Sequence, residues 1–214
     1  MAFELAHAVV YVTDMSQMVD FYTQTLGFKV ADRGPLGQEP TEIVFLTKNP
    51  VHHHQLAFMN TRKDAGPSNS LNHLAFRVDS LDDVKTALRA VTEDPSASGV
   101  KPITHGNAWS VYFKDPEGNG VEIFCDSPFH VQQPQAKGWD PQMDIEPLTS
   151  WTKETFESEN EFGPIEKFYE QVHQMSQNWN EDEANNLFIY KEEVDPMVLT
   201  YLSLDGDERR AITH

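Results

Sequence analysis

Apolar and polar residues alternate along residues 5–12, with His7, Val9 and Tyr11 on one side and Ala8, Val10 and Val12 on the other. A period of two is that of a half-buried β-strand. From residue 15 to 26 the pattern becomes amphipathic, with Thr13 or Asp14 as N-cap and Gly27 as the C-terminal stop of a predicted helix. Short β-rich runs follow at residues 28–33, 42–46 and 54–59. The same order then starts again. A β-rich run covers residues 71–78, Asp79-Ser80 caps a helix over 81–91, and strands are predicted around 100–104, 109–114 and 121–125. Each copy reads β-α-β-β-β, and the two align best at His7-Ala-Val-Val-Tyr-Val-Thr-Asp against His73-Leu-Ala-Phe-Arg-Val-Asp-Ser. Repeated supersecondary units whose sheets each expose one face are expected to complete one another.

Beyond this repeat the texture changes. Residues 127–150 hold Pro128, Pro134, Pro141 and Pro147 with Gly138 and several glutamines. Proline fixes φ and removes a donor, so this stretch is expected to be a linker rather than sheet. Helical spacing returns at Ile165, Phe168, Tyr169 and Val172. Residues 180–186 read as solvated, while 187–190 and 197–204 are apolar enough to dock. The expected organisation is a domain over residues 1–128 with modules at about 4–60 and 71–126, a Pro-rich linker over 129–150, and an extension over 151–214. That extension carries fifteen acidic against five basic residues from Ser150 onward. Trp151, Phe156, Phe162, Phe168, Trp179 and Leu187 are its candidate docking residues.

Composition narrows the function. The 214 residues carry a formal charge of −18, which repels phosphate backbones and anionic lipid surfaces, so neither nucleic acid nor membrane is an expected partner. Cys125 is the single cysteine, which leaves no internal disulfide and no cysteine-based zinc site. No apolar run reaches the ~18 residues of a membrane span, and the first residues lack a basic region followed by an apolar stretch. A reducing cytoplasm is the expected location.

The chemistry lies in polar residues placed inside strands. His7 and His73 occupy equivalent positions in the two copies, and Glu122 lies between Val121 and Ile123 in the last strand. A carboxylate in such a strand is half buried, and burying its charge is costly unless a cation or strong donors offset it. One strand histidine is more often part of a core than a ligand. A matched pair with an acid in the closing strand is more specific. Two imidazoles and a carboxylate from three strands match the facial triad that leaves open positions on non-haem Fe(II).

The segments His7-Ala-Val-Val-Tyr-Val-Thr-Asp-Met, Phe21-Tyr-Thr-Gln-Thr-Leu-Gly-Phe, Asn72-His-Leu-Ala-Phe-Arg-Val and Asp115-Pro-Glu-Gly-Asn-Gly-Val-Glu-Ile-Phe together resemble the vicinal oxygen chelate superfamily. That superfamily includes glyoxalase I, the fosfomycin and bleomycin resistance proteins and the type I extradiol dioxygenases. The resemblance covers a little under 60% of the chain. It implies an α+β fold of two paired βαβββ modules forming an open barrel or funnel around a metal, with His7, His73 and Glu122 as the ligands. Within the superfamily the single-barrel extradiol branch fits best. His52-His53-His54-Gln-Leu-Ala-Phe resembles the segment that carries the active-site acid/base. His54 fits that position, and His53, one register away, is expected to face the other side. Thr104-His105-Gly-Asn107 resembles the segment with a second-sphere histidine, and Tyr112 the tyrosine that hydrogen-bonds bound catechol. Glyoxalase I has an acid on the strand holding His54, and residues 54–59 contain none.

The expected activity is extradiol cleavage of a monocyclic or biaryl catechol with O₂, as in aromatic hydrocarbon catabolism. The expected cofactor is Fe(II), with Mn(II) as the other candidate, and the chain is expected to form a homo-oligomer. Trp109, Phe113, Phe124 and Phe129 are candidate aromatic walls, or plain core. Two alternatives remain on the same fold: a glyoxalase-like metal-dependent lyase or isomerase, and a non-catalytic small-molecule-binding protein of the resistance type.

Overall fold

The computed structural model describes residues 5–37, 41–64 and 70–177, with side chains through 172. The predicted segments at 180–186, 187–190 and 197–204, with Trp179 and Leu187, lie outside the described residues. The fold is α+β, with two βαβββ modules in sequence order. The first comprises β1 (Ala8–Tyr11), α1 (Met15–Asp20), β2 (Lys29–Pro35), β3 (Glu42–Thr47) and β4 (Leu56–Met59). The second comprises β5 (His73–Arg77), α2 (Leu81–Glu93), β6 (Ser98–Thr104), β7 (Ala108–Lys114) and β8 (Gly120–Asp126). Strand order is β1-β4-β3-β2 in one sheet. In the other, β6-β7-β8-β5 is extended at the β6 edge by β10 (Lys137–Gly138). β1 pairs parallel with β4 (Val9 opposite Ala57), while β3 runs antiparallel to both neighbours. Among the described residues no helix is long and apolar enough to cross a membrane.

Contacts divide the chain into two compact units. Among the described residues, the first holds 5–37, 41–64, 70–76, 85–100 and 111–123. Its helix starts as expected: Asp14 is extended, and its carboxylate accepts from the Gln17 N–H at 2.9 Å. After Asp20 the helix widens into a π-helical turn at Phe21–Thr25, where the Leu26 N–H donates to the Phe21 carbonyl. Gly27 ends it at φ +76°. This turn aims Phe21 and Tyr22 into a core with Met18, Phe28, Val44, Leu46 and Phe58. Tyr22 meets Phe28 and Phe58 edge-on, at 5.8 and 5.0 Å between ring centres.

Two side chains of the β7–β8 hairpin tie distant segments of this unit together. The buried Asp115 carboxylate accepts from the Glu117 and Asn119 N–H groups, the Asn119 amide and the Tyr22 hydroxyl. Burial nonetheless raises its pKa above the usual aspartate value. Glu117 Oε1 accepts from the Thr13 N–H, the Thr13 hydroxyl and the Asp14 N–H, and its Oε2 pairs with Arg62 at 3.1 Å.

Among the described residues, the second unit holds 77–84, 101–110 and 124–177. Ser80 and Asp83 form a reciprocal cap at the start of α2. The stretch expected to be a linker rather than sheet carries two short strands and a helix start. It contains β9 (Phe129–His130), β10 and the start of α3 (Ile145–Phe156). Pro147 falls in the first turn of α3, where no intrahelical donor is lost. Leu148, Thr152 and Phe156 are the buried face of α3, and the fully buried Trp109 donates its indole N–H to Thr152 Oγ1 at 2.9 Å. Trp139 donates to the Ser110 carbonyl. β11 (Gly163–Pro164) pairs with β9, and α4 (Ile165–Gln177) follows. Phe129 stacks on Phe162 and His130 on Phe168.

Candidate metal centre

The strongest polar constellation of the first unit lies where β5 begins and β8 passes it. His73 is the first residue of β5, and Glu122 is the third of β8. His73 Nε2 faces Glu122 Oε2 at 3.2 Å, and His73 Nδ1 contacts Asn72 Oδ1 at 2.7 Å. The amide oxygen can only accept, so Nδ1 carries the proton in that contact. The other nitrogen, Nε2, then faces the carboxylate, and a proton or a cation can be shared between them. This is the anchoring expected of a ligating histidine, whose second nitrogen is fixed by an outer acceptor. Gly120 permits the approach. A Cβ there would lie inside van der Waals contact of the Asn72 carbonyl oxygen and 3.1 Å from His73 Cβ.

Tyr112 completes this group. Its ring meets His73 edge-on at 5.3 Å, and its hydroxyl hydrogen-bonds Glu122. Burial, then the charge of Glu122 and that hydrogen bond, hold the phenol far above its usual pKa. It is a donor throughout the neutral range. Glu122 itself is buried.

His7 and His54 form a second group. His7 is exposed and sits just before β1, its ring centre 4.4 Å from that of His54. The strand expected from residue 54 begins at Leu56, so His53 and His54 lie in the preceding turn. Strand alternation does not apply there. His53 does not face away from His54, because the two Nδ1 atoms are 2.9 Å apart. Desolvation, then the proximity of His7 and His53, lowers the His54 pKa below that of a free imidazole. His105 belongs to the second unit, where its Nδ1 hydrogen-bonds the Gln135 carbonyl and its own carbonyl accepts from Gln133.

The predicted residues are thus gathered as His73–Glu122–Tyr112 and as His7–His54–His53. Among the described residues no group of three His, Cys, Asp or Glu side chains is spaced to hold an ion. The donor chemistry of the first group nevertheless fits a divalent metal. Asn72, Gly120 and Phe45, which packs against both His53 and His54, carry structural roles not assigned from sequence. Asn72 directly precedes the ligand candidate, and that adjacency was its only signal. Trp109 and Phe113 are buried core, and Phe129 packs on Phe162.

Residues 4–123 match the family model of the Glyoxalase/Bleomycin resistance protein/Dioxygenase superfamily. The chain belongs to this superfamily. Superfamily relatives include metapyrocatechase from Pseudomonas sp. (strain CF600), 22% identical over 135 residues, with 62% of this chain and 42% of the relative covered. An iron-dependent extradiol dioxygenase from Rhodococcus jostii (strain RHA1) is 31% identical over 134 residues, covering 57% and 43%. A probable lactoylglutathione lyase from Vibrio cholerae is 23% identical over 134 residues, covering 59% and 94%. The match therefore spans less than half the length of the metapyrocatechase and of the iron-dependent extradiol dioxygenase. A crystal structure of a glyoxylase/bleomycin resistance protein/dioxygenase domain from Frankia sp. EAN1pec has a TM-score of 0.50 at 18% identity, covering 59% of this chain and 99% of that one. This last likeness is one of fold.

Proposed function

We propose that this superfamily member is an extradiol ring-cleaving dioxygenase acting on a catechol-type diol with O₂. His7, His73 and Glu122 would hold Fe(II), with Mn(II) as the other candidate. The observation that carries this reading is the His73–Glu122 pair, with the imidazole anchored through Nδ1 and Tyr112 donating to the carboxylate. The extradiol relatives agree with it. Bound Fe(II) supplies Lewis acidity toward a diol and a site that brings the diol and O₂ together.

The chain's own groups do the rest. His54 is held neutral near pH 7, so its imidazole can take up a proton from a diol hydroxyl and later return it. Tyr112 keeps its proton and can turn its hydroxyl to a substrate oxygen whose charge grows. His105, held by the Gln135 carbonyl in the second unit, takes no step in this proposal. The proposal includes self-association of the chain.

The test is oxygen uptake by protein loaded anaerobically with Fe(II), given catechol or 2,3-dihydroxybiphenyl. One O₂ consumed per yellow ring-opened product, abolished in His73→Ala, is the expected result. No uptake across a broader catechol panel by iron-loaded protein would refute it.

One observation favours a second reading, a metal-dependent lyase or isomerase. The match spans 94% of the lactoylglutathione lyase relative and far less of the two dioxygenases. Turnover of a thiol adduct by protein inert toward every catechol would select it.

A further inference from the structure

We propose that the exposed face of the first sheet is a specificity wall for an uncharged aryl or alkyl substituent of the substrate, with Val9 and Tyr11 setting the preference. That the substrate is a diol rests on the dioxygenase reading above. Both faces of this sheet are apolar. On one, Val10, Phe58 and Val44 lie opposite one another, and Ala8, Leu56 and Leu46 form the adjoining row. Val44, Leu46, Leu56 and Phe58 are buried, so this is the core face. On the other, Val9, Ala57 and Phe45 form one row and Tyr11, Met59 and Ile43 the next. A solvated sheet face ordinarily carries polar residues. Both of these rows are apolar or aromatic throughout, yet Val9 and Tyr11 are 47% and 58% exposed. Contiguous apolar surface left in water marks a place where something binds.

The position of the wall names its occupant. Phe45, in the first row, lies edge-on to His54 at 4.9 Å between ring centres, and His7, just before β1, is 4.4 Å from the same imidazole. The wall therefore starts at the histidine that exchanges a proton with the substrate in the proposed reaction. From there it runs along β1, β3 and β4. Successive rows on one face are two residues, about 7 Å, apart, so two rows give length for a second ring or a short chain. At the β2 edge Lys29 stands opposite Thr47 and Asp32 opposite Phe45. Their charges are of opposite sign, which favours neither an anionic nor a cationic substituent. The chemistry that fits is an uncharged hydrocarbon group, bound because its surface leaves water.

The experiment compares the full iron-loaded chain with a double variant, Val9→Thr with Tyr11→Thr. Threonine keeps the strand propensity of these exposed positions, and circular dichroism checks the fold. Oxygen uptake gives kcat/KM for 2,3-dihydroxybiphenyl and catechol. Calorimetry gives the affinities of 2-hydroxybiphenyl and phenol, which lack vicinal hydroxyls. The wild-type chain should favour the biaryl member of each pair at least fivefold. Both ratios should fall at least threefold in the double variant, the kinetic one through KM rather than kcat. Unchanged ratios in the variant would overturn the wall, as would turnover of 3,4-dihydroxybenzoate in preference to 2,3-dihydroxybiphenyl. Unchanged ratios with a dimer that the variant dissociates, seen by analytical ultracentrifugation, would assign the face to a second copy of the chain instead. No turnover of any diol, with the 2-hydroxybiphenyl preference present and lost in the variant, would refute the dioxygenase reading and leave the wall standing. Turnover of catechol with no biaryl preference would do the reverse.

Discussion

Replacing Gly120 with alanine tests the link between backbone packing and the candidate ligands. The new Cβ would overlap the Asn72 carbonyl oxygen and stand 3.1 Å from His73 Cβ and 3.3 Å from the Asn72 carbonyl carbon. Relaxed carbon–carbon contacts lie at about 3.5–4.0 Å. None of these atoms is the end of a flexible side chain, so the strand start must retreat by several tenths of an ångström or more. Overpacking of this kind costs about 1–3 kcal/mol, and the rigid neighbours put Gly120→Ala in the upper half of that range. The retreat also opens the 3.2 Å separation of His73 Nε2 and Glu122 Oε2. Metal–ligand bonds tolerate deviations of about 0.2 Å, so Mn(II) or Fe(II) affinity should fall about 10–100-fold, as for loss of a supporting contact. Urea unfolding and metal titration are the two assays. Gly106→Ala is the control: at φ +80° its Cβ would press on Val131 and Phe156 in the second unit. It should unfold at lower urea yet leave metal affinity within twofold. A Gly120→Ala protein with wild-type unfolding midpoint and wild-type metal affinity would refute the packing argument.

Removing a ligand candidate directly, in His73→Ala or Glu122→Gln, is expected to weaken divalent metal binding by at least tenfold in calorimetry without changing the circular dichroism. Tyr112→Phe should lower kcat on a catechol by about 100-fold, the effect of losing one donor to a charged oxygen, while metal content by atomic absorption stays unchanged. Thr152→Val leaves the buried Trp109 indole N–H without its acceptor and should cost about 1–3 kcal/mol in urea unfolding. The Cys125 thiol is pushed up to about 11 by burial, with the charge of Asp83 adding to the shift. Because the thiolate is the reactive form, labelling of the native chain at pH 8 should run about 100-fold slower than that of a free cysteine. It should accelerate as pH rises toward 11.

Local periodicity carries much of this fold. The π-helical turn keeps Phe21 and Tyr22 on the buried face, so the expected helix over residues 15–26 differs only in its winding. Where proline dominated the pattern, the short strands and the helix start within residues 127–150 were not legible. Pro147 sits in the first turn of α3, where it is harmless, and the docking of α3 depends on Trp109 and Thr152, which lie 43 residues apart. The site follows the same division. Repeat-equivalent positions pointed to His7 and His73, an acid in the closing strand pointed to Glu122, and the structure pairs His73 with Glu122. The distance that decides how His53 stands to His54 depended on where β4 begins. A two-residue shift in that boundary takes both out of strand geometry. The outer acceptor Asn72 and the clearance at Gly120 arise from two strands meeting, which no local pattern encodes.

The carboxylate of Glu117 has a kinetic consequence. It accepts from the N–H groups of Thr13 and Asp14, 104 and 103 positions earlier in the chain, at the mouth of the first helix. During synthesis at about 5–20 residues per second, that helix start waits roughly 5–20 s for its anchor to be made. The Phe21–Phe113 and Tyr22–Asp115 contacts wait equally long. Closure over such separations is entropically slow. The nascent first module is therefore the interval in which chaperones and proteases meet this chain with its core open.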